Sequence, residues 1–168
     1  MEAVFLAAGC GSRMSVNGHD HKALRYLMGV PILERGIRAF RTAGVRRFTI
    51  VVGHSAELIE ETIVDGSRLG VEVRYARNED WEQGNGTSLY AARDMVDGER
   101  FVLAMADHWF EPAMARLLLE RMAEDERSLL CVDFDASSVW NLDDATKVRI
   151  GADGAVIEAG KDLPDFDA

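Results

Sequence analysis

The feature that most constrains the fold lies at the start of the chain, where a short apolar run leads into a glycine-containing loop. Val4, Phe5 and Leu6 are consecutive apolar residues, too few for an ordinary helix, and Ala7–Gly9 close the run. Runs of this kind are typical of buried parallel strands. The first residues therefore predict a buried strand that ends in a loop.

The loop after this strand combines glycines with cations. Gly9 and Gly11 let backbone N–H groups approach an anion closely, and Arg13 and Lys22 can neutralise it. A Walker A loop is excluded because no Lys-Ser/Thr pair follows the glycines, and the dinucleotide pattern G-x-G-x-x-G is excluded because Met14 stands at its last glycine. The pattern predicts a phosphate-binding loop, with an ordinary strand-to-helix turn as the alternative.

Composition restricts the partners of such a loop. With 168 residues, 48% hydrophobic and 29% charged, the chain is expected to form a soluble single domain, residues 1–168. No membrane-spanning run or signal peptide is visible, so we expect a cytoplasmic protein without direct membrane insertion. The net charge of −10 argues against nucleic acid as a partner. Cys10 and Cys131 lack metal-ligand spacing and are expected to be reduced thiols.

Short apolar runs alternate with helical patterns along the rest of the chain. Further strands are predicted at Phe48–Val52, Val71–Tyr75, Phe101–Met105 and Leu129–Phe134. Helices are predicted to begin at Pro31, after a Ser55 cap, at Thr87 and at Pro112, the last with Met114, Leu117, Leu118 and Met122 facing inward. Asp153-Gly154 predicts a hairpin. The order predicts an α/β doubly wound, mostly parallel sheet with an antiparallel hairpin near the C-terminus.

In such sheets, ligands bind beyond the carboxyl ends of the strands. The third predicted strand leads into a segment where Gly84 and Gly86 bracket Asn85, with Ser88 nearby. The free backbone groups of this segment and the side chains of Asn85 and Ser88 could form hydrogen bonds with the edge of a nucleotide base. The alternative is a turn in which Asn85 or Thr87 caps the following helix.

The fourth predicted strand ends in a carboxylate. Asp107 directly follows Met105-Ala106, where a carboxylate is costly unless it is paired or bound to a metal. Mg²⁺ takes oxygen ligands and bridges phosphates, so we favour a magnesium ligand over a helix cap. His108 is interpreted as a packing residue, and His19, Asp20 and His21 as a mobile lip of the site.

Several strings stand out in order along the chain: Leu6–Met14, Lys22–Leu24, Gly29–Ile32, Glu82–Gly86 with Ser88-Leu89, Met105–His108, Ala145–Arg149, Gly160–Leu163 and Asp165–Asp167. With these strings the chain resembles the CTP:inositol-1-phosphate cytidylyltransferases, one branch of the nucleotidyltransferase superfamily. The opening loop is shared by the whole superfamily and indicates nucleotidyl transfer, whereas Gly84–Gly86, Asp107-His108 and the Lys161 string point to this branch. Ala106 replaces the glycine of the family's Gly-Asp-His.

The resemblance implies a function and a site. CTP would lie over the first loop, and CMP would pass to inositol 1-phosphate with release of pyrophosphate. Arg13, Lys22 and Lys161 would be catalytic, the last at the acceptor phosphate, with Lys147 a weaker candidate; Asp107 would bind Mg²⁺. The implied nucleotide-binding residues are Leu6, Ala7, Ala8, Gly9, Gly11, Ser12, Gly84, Asn85, Gly86 and Ser88.

The resemblance also leaves alternatives open. Family members continue past the position of Asp167 with a strand and a second acidic metal ligand. We therefore expect a truncated form, a C-terminal partner or homodimer that supplies the rest, or a site that lacks the second ligand. The acceptor could instead be phosphocholine, a phosphonate or a sugar 1-phosphate. A nucleotide-binding segment without catalysis is the remaining alternative.

Overall fold

The computed structural model describes residues 1–11 and 21–168, apart from the side chain of Ser138, and divides them into two compact units. The first unit is Met1–Glu124 and the second is Asp125–Ala168. The single-domain organisation expected from the sequence stays a prediction. None of the helices in the described ranges is long and apolar enough to span a bilayer.

A four-stranded parallel sheet with helical crossovers organises the first unit. Its main elements are β1 (Glu2–Ala7), β2 (Tyr26–Leu27), β3 (Val30–Pro31), α1 (Ile32–Thr42), β4 (Arg47–Val52), α2 (Ala56–Ile63), β5 (Glu72–Arg77), α3 (Asn85–Ala91), β6 (Val102–Met105) and α4 (Pro112–Glu124). The strand order in the sheet is β5-β4-β1-β6, and every neighbouring pair is parallel. The predicted fold class is confirmed, and the carboxyl ends of β1 and β6 lie side by side.

The core forms around β1 because all six of its residues are buried. The ring of Phe5 lies 6.0 Å from those of Phe40 on α1 and Phe48 on β4, centroid to centroid. At Gly36 on α1, an added Cβ would come within 2.7 Å of the Phe5 ring, so the helix needs glycine there to pack this close to the strand. The apolar start of the chain is therefore the centre of the unit.

The arginines on and after α1 are engaged in structural contacts. Arg35 donates to the Leu27 carbonyl at 2.7 Å, and Arg41 donates to the Leu69 carbonyl at 2.7 Å. Glu34, only 3% exposed, accepts from Arg38 at 2.6 Å and from Arg68 at 2.7 Å. Burial alone would raise the pKa of Glu34, but the hydrogen bonds from Arg68 and Arg38 outweigh it and hold that pKa below 4.5.

A Glu34→Gln variant should therefore lose stability in a pH-dependent way. A depressed carboxyl pKa stabilises the fold above the unfolded-state pKa, and this contribution is lost as the pH falls below 4.5. We expect the variant to be less stable by about 1–2 kcal/mol at pH 7, since both arginines are half exposed, and the difference to shrink at pH 3.5–4. Urea unfolding at both pH values measures it, with Glu61→Gln on the exposed side of α2 as the control. A pH-independent difference would contradict the argument.

The second unit contains the predicted hairpin. Strands β7 (Lys147–Ile150) and β8 (Val156–Gly160) pair antiparallel, and Gly154 adopts a φ of +77° in the turn. The C-terminal residues add to it, because the Val148 N–H donates to the Ala168 carbonyl at 2.6 Å and the Asp167 N–H donates to the Val148 carbonyl at 2.9 Å. The antiparallel addition near the C-terminus is confirmed.

Three local predictions were wrong in whole or in part. Leu129–Phe134 forms no strand, and Leu130 and Phe134 are 58% and 69% exposed, because an apolar run becomes a strand only where another strand accepts its backbone hydrogen bonds. Helix α4 buries Met122 as predicted and leaves Met114 and Leu118 half-buried, but Leu117 is 54% exposed. Ser55 precedes α2 as predicted, but its hydroxyl contacts the His54 ring instead of capping the helix.

Candidate functional site

A cavity of about 380 Å³ opens at the carboxyl ends of β1 and β6 in the first unit. Four segments form it: the end of β1 with its loop, the turn at residues 21–23, the 81–88 segment, and the end of β6 with Asp107. The lining residues are Leu6, Ala7, Ala8, Gly9, Cys10, Gly11, His21, Lys22, Ala23, Trp81, Glu82, Asn85, Ser88, Met105, Ala106 and Asp107. The cavity therefore lies where a parallel sheet presents its ligand site.

Most of the predicted site residues meet at this cavity. Those that line it are Leu6, Ala7, Ala8, Gly9, Gly11, Lys22, Asn85, Ser88 and Asp107. Gly84 and Gly86 belong to the same segment as Asn85 but do not line the cavity. Ser12 and Arg13 lie outside the described residues. Lys161 lies in the second unit, where its ammonium pairs with Asp144. The roles of all these residues remain predictions.

Two of the predicted groups contact each other directly. Lys22 Nζ lies 2.5 Å from Asp107 Oδ2, and the two side chains are 35% and 23% exposed. Gly11 makes room for the lysine, because an added Cβ would lie 2.9 Å from Lys22 Cβ, and its φ of +59° favours glycine. The glycine loop thus packs directly against the stem of Lys22.

The second carboxylate oxygen of Asp107 is available for a further ligand. Asp107 Oδ1 is buried and has no hydrogen-bond partner in the described part of the chain, and His108 Nε2 lies 3.8 Å away. A buried carboxylate oxygen without a partner is costly, and it is the ligand type that Mg²⁺ prefers. Within residues 1–11 and 21–168, no group of three or more His, Cys, Asp or Glu side chains could hold a metal ion. Mg²⁺ keeps several waters and binds through one or two carboxylates and phosphates, so Asp107 could hold it together with water and phosphate oxygens.

His21 is the site residue that the sequence analysis misjudged. It is 5% exposed, so its assignment to a mobile lip was wrong; His19 and Asp20 lie outside the described residues. Its Nδ1 accepts a hydrogen bond from the Ala23 N–H at 3.2 Å. Burial lowers the pKa of His21 below 6.5, and the nearby His54 lowers it further. The Ala7 carbonyl and Asp107 raise that pKa, but by less. Histidine is not among the preferred N-cap residues, so the sequence carried little signal for this contact.

The 78–88 segment is fixed by a buried amide. Asn78, 5% exposed, donates to Ser88 Oγ at 3.0 Å and to Thr87 Oγ1 at 3.3 Å. Helix α3 begins at Asn85 without a side-chain cap, so the alternative in which Asn85 or Thr87 caps it was wrong. Asn85 is exposed and lines the cavity, which leaves its amide available to a ligand.

Trp81, which lines the cavity, makes an aromatic contact with His54. The rings of Trp81 and His54 meet edge to face with centroids 5.3 Å apart. At Gly53, an added Cβ would lie 2.7 Å from Trp81 Cβ and 2.9 Å from the Ala8 carbonyl oxygen. The chain after β4 therefore packs tightly between the first loop and Trp81, which joins the two predicted binding segments into one wall.

Comparisons with known proteins give this site a family. The model of the MobA-like NTP transferase domain matches residues 3–142. A bifunctional IPC transferase and DIPP synthase of Rubrobacter xylanophilus is 36% identical over 167 residues, covering 98% of this chain and 36% of that protein. A 2-aminoethylphosphonate cytidylyltransferase of Lancefieldella rimae is 32% identical over 174 residues, covering 99% of this chain and 67% of that protein.

A solved structure agrees with these relatives. The inositol-1-phosphate CTP transferase from T. maritima superposes with a TM-score of 0.77 at 26% identity, covering 99% of this chain and 66% of that one. The chain spans about a third of the length of the IPC transferase relatives, since it covers 35–36% of two of them. The nucleotidyltransferase resemblance inferred from the sequence is confirmed. With its fold, its glycine loop and a family match over most of its length, the chain belongs to the MobA-like NTP transferase family.

Proposed function

We propose that this protein is a cytidylyltransferase that transfers CMP from CTP to a small phosphorylated alcohol, with inositol 1-phosphate as the first candidate. Pyrophosphate leaves and a CDP-alcohol forms. The observation that carries the proposal is the Lys22–Asp107 contact beside the glycine loop in one cavity. The similarity to the inositol-1-phosphate CTP transferase from T. maritima supports the choice of nucleotide and acceptor.

The cavity has the size and lining for the nucleotide. Its volume of about 380 Å³ lies in the range of small-molecule sites. The triphosphate would lie over Gly9–Gly11, where backbone N–H groups can approach it, with Lys22 and Arg13 as the cations. The base would lie against Asn85 and Ser88. In this proposal, Lys22 and Arg13 give an otherwise anionic protein positive charge at the triphosphate.

Transfer of this kind depends on positioning and charge neutralisation more than on covalent help from the protein. An oxygen of the acceptor phosphate forms a bond to the α-phosphorus of CTP while the bond to pyrophosphate breaks. Lys22 would take up charge on the departing pyrophosphate, which requires its ammonium to leave Asp107 Oδ2. Asp107 would hold Mg²⁺, and the ion supplies further neutralisation of the phosphates when bound.

The acceptor end of the site rests on the resemblance. Lys161 would bind the acceptor phosphate and reduce the repulsion between two anions. Lys147 in β7 donates to the Lys161 carbonyl, which gives it a structural contact beside that lysine. The 2-aminoethylphosphonate cytidylyltransferase among the relatives makes a phosphonate the second acceptor class.

The proposal is tested by pyrophosphate release with a panel of substrates. CTP, UTP, dTTP and GTP are each paired with inositol 1-phosphate, 2-aminoethylphosphonate, phosphocholine and glucose 1-phosphate. We expect CTP with inositol 1-phosphate to give the highest kcat/KM, in the presence of Mg²⁺. A preference for a sugar 1-phosphate with dTTP or UTP would overturn the assignment of both substrates.

A separate binding measurement, protection of Cys10 from alkylation, distinguishes a catalytic protein from one that only binds the nucleotide. Cys10 is half-buried and lines the cavity, whereas Cys131 is exposed. In a Cys131→Ser variant, CTP should slow alkylation of Cys10 by iodoacetamide, and inositol 1-phosphate alone should not. Protection without turnover on any acceptor would favour the non-catalytic alternative.

A further inference from the structure

Lys22 stands on an element that is too short to hold itself in place. Residues Lys22–Leu24 form a single 3₁₀ turn, closed by backbone hydrogen bonds from Leu24 to His21 at 2.9 Å and from Arg25 to Lys22 at 3.2 Å. Such a turn has poor hydrogen-bond geometry and too few bonds to be stable alone. The position of the ammonium group therefore depends on what fixes the turn from outside.

The imidazole of His21 supplies one such contact. Its Nδ1 accepts from the Ala23 N–H, a donor inside the turn that the backbone leaves unused, and Ala23 itself is 1% exposed. A nitrogen that accepts a hydrogen bond carries no proton, so the contact assigns the ring proton to Nε2. Burial, which lowers the pKa of His21, favours this neutral form at pH 7.

The other side of the ring faces the strand end that forms the cavity. The Ala7 carbonyl at the end of β1 acts on the pKa of the ring, as do the charges of His54 and Asp107. Nε2 is buried and has no hydrogen-bond partner in the part of the chain that the structure describes. The ring is thus largely buried between the turn and the end of β1, and it forms part of the cavity lining.

We propose that His21 is a positioning residue for Lys22: its imidazole caps the turn through Nδ1 and packs against the end of β1, which sets the place of the Lys22 ammonium. The inference rests on the proposed function, because Lys22 must act on the triphosphate for its position to matter. The competing explanation is that His21 only fills space in the core. In that case, the volume of the side chain matters and its acceptor atom does not.

Two amide variants separate these explanations. In His21→Asn, the side-chain oxygen takes the place of Nδ1 and can still accept from the Ala23 N–H, since asparagine is a good N-cap. In His21→Gln, the side chain is one carbon longer, so its amide oxygen lies too far from the backbone to replace Nδ1 at the Ala23 N–H. We expect His21→Asn to keep kcat within about threefold of the wild type and His21→Gln to lose about 10–100-fold, the scale of a misplaced catalytic group, with the KM for the acceptor unchanged.

A double-mutant cycle shows whether His21 acts through Lys22. In a Lys22→Ala background, His21→Gln should cause no further loss in kcat/KM and no further weakening of pyrophosphate binding in titration calorimetry. A packing role predicts the opposite, because the same loss would appear in both backgrounds. Thermal unfolding of each variant shows that the comparison is between folded proteins.

The outcomes distinguish this inference from the proposed function. If Lys22→Ala abolishes turnover but His21→Gln costs the same in both backgrounds, or if His21→Asn is as impaired as His21→Gln, the positioning role is overturned and the function stands. If Lys22→Ala keeps normal turnover, the positioning role of His21 and the proposed role of Lys22 in the function are both overturned. Loss of folding in both amide variants would show that the histidine serves the core and would also overturn the inference.

Discussion

Replacing Lys22 with alanine is expected to lower turnover by about 10²–10³-fold and to leave the fold intact. A cation that neutralises developing charge in a transition state contributes on this scale. Lys22 is 35% exposed and its ion pair with Asp107 is partly solvated, so the variant should lose at most about 1 kcal/mol of stability. Steady-state kinetics of pyrophosphate release and a thermal melt measure the two effects.

A matched control for this variant is Arg93→Ala. Arg93 is an exposed cation that pairs with Asp94 at 3.2 Å and lies outside the cavity lining, so its loss removes one positive charge from the protein without touching the site. Its turnover should stay within about twofold of the wild type, as for most surface substitutions away from a special feature. Near-normal turnover of Lys22→Ala would refute the assignment of this lysine to the triphosphate.

Asp107→Asn should have opposite effects on CTP binding with and without magnesium. With Mg²⁺, the variant loses the carboxylate that would hold the ion, so the metal should no longer strengthen CTP binding. Without metal, CTP should bind about three- to tenfold more tightly than to the wild type, because Lys22 no longer pairs with Asp107 and one negative charge leaves the site. Titration calorimetry with CTP, in EDTA and in excess Mg²⁺, measures both effects.

The Lys22→Ala variant separates the two causes of the tighter CTP binding that we expect for Asp107→Asn without metal. In a Lys22→Ala background, Asp107→Asn can relieve only the repulsion between carboxylate and phosphate, so its gain should be smaller than in the wild type. Asp94→Asn, at the exposed pair with Arg93, controls for the change in overall charge. A magnesium effect that is the same in Asp107→Asn as in the wild type would remove Asp107 from the metal site.

Both predictions follow from one contact that joins distant parts of the chain. The sequence singled out Lys22 for its place after the glycine loop and Asp107 for its place after an apolar strand. It assigned them to different partners. The parallel pairing of β1 with β6, from Ala3–Val102 to Leu6–Met105, brings the ends of the two strands together and lets the two side chains form an ion pair.

Local patterns predicted the two central strands of the sheet well because these strands are buried on both faces. The apolar runs at the start of the chain and at Phe48–Val52 have one stable arrangement, which is in the middle of the sheet, and both are found there. The run at Leu129–Phe134 has the same apolar character but forms no strand. Hydrophobicity predicts burial, whereas a strand also needs a neighbour for its backbone groups, and no local pattern supplies that neighbour.

The amino-acid sequence alone was enough to establish the α/β class, the family resemblance and the segments that meet at the cavity. These depend on local runs, glycine positions and the rule that parallel strands share one ligand edge. The tertiary structure decided which side chains touch: Lys22 on Asp107, and His21 buried beneath its turn instead of lying on a mobile lip. The ion pair and the burial of His21 both depend on segments that are far apart in the sequence. They are therefore determined only when the sheet is packed.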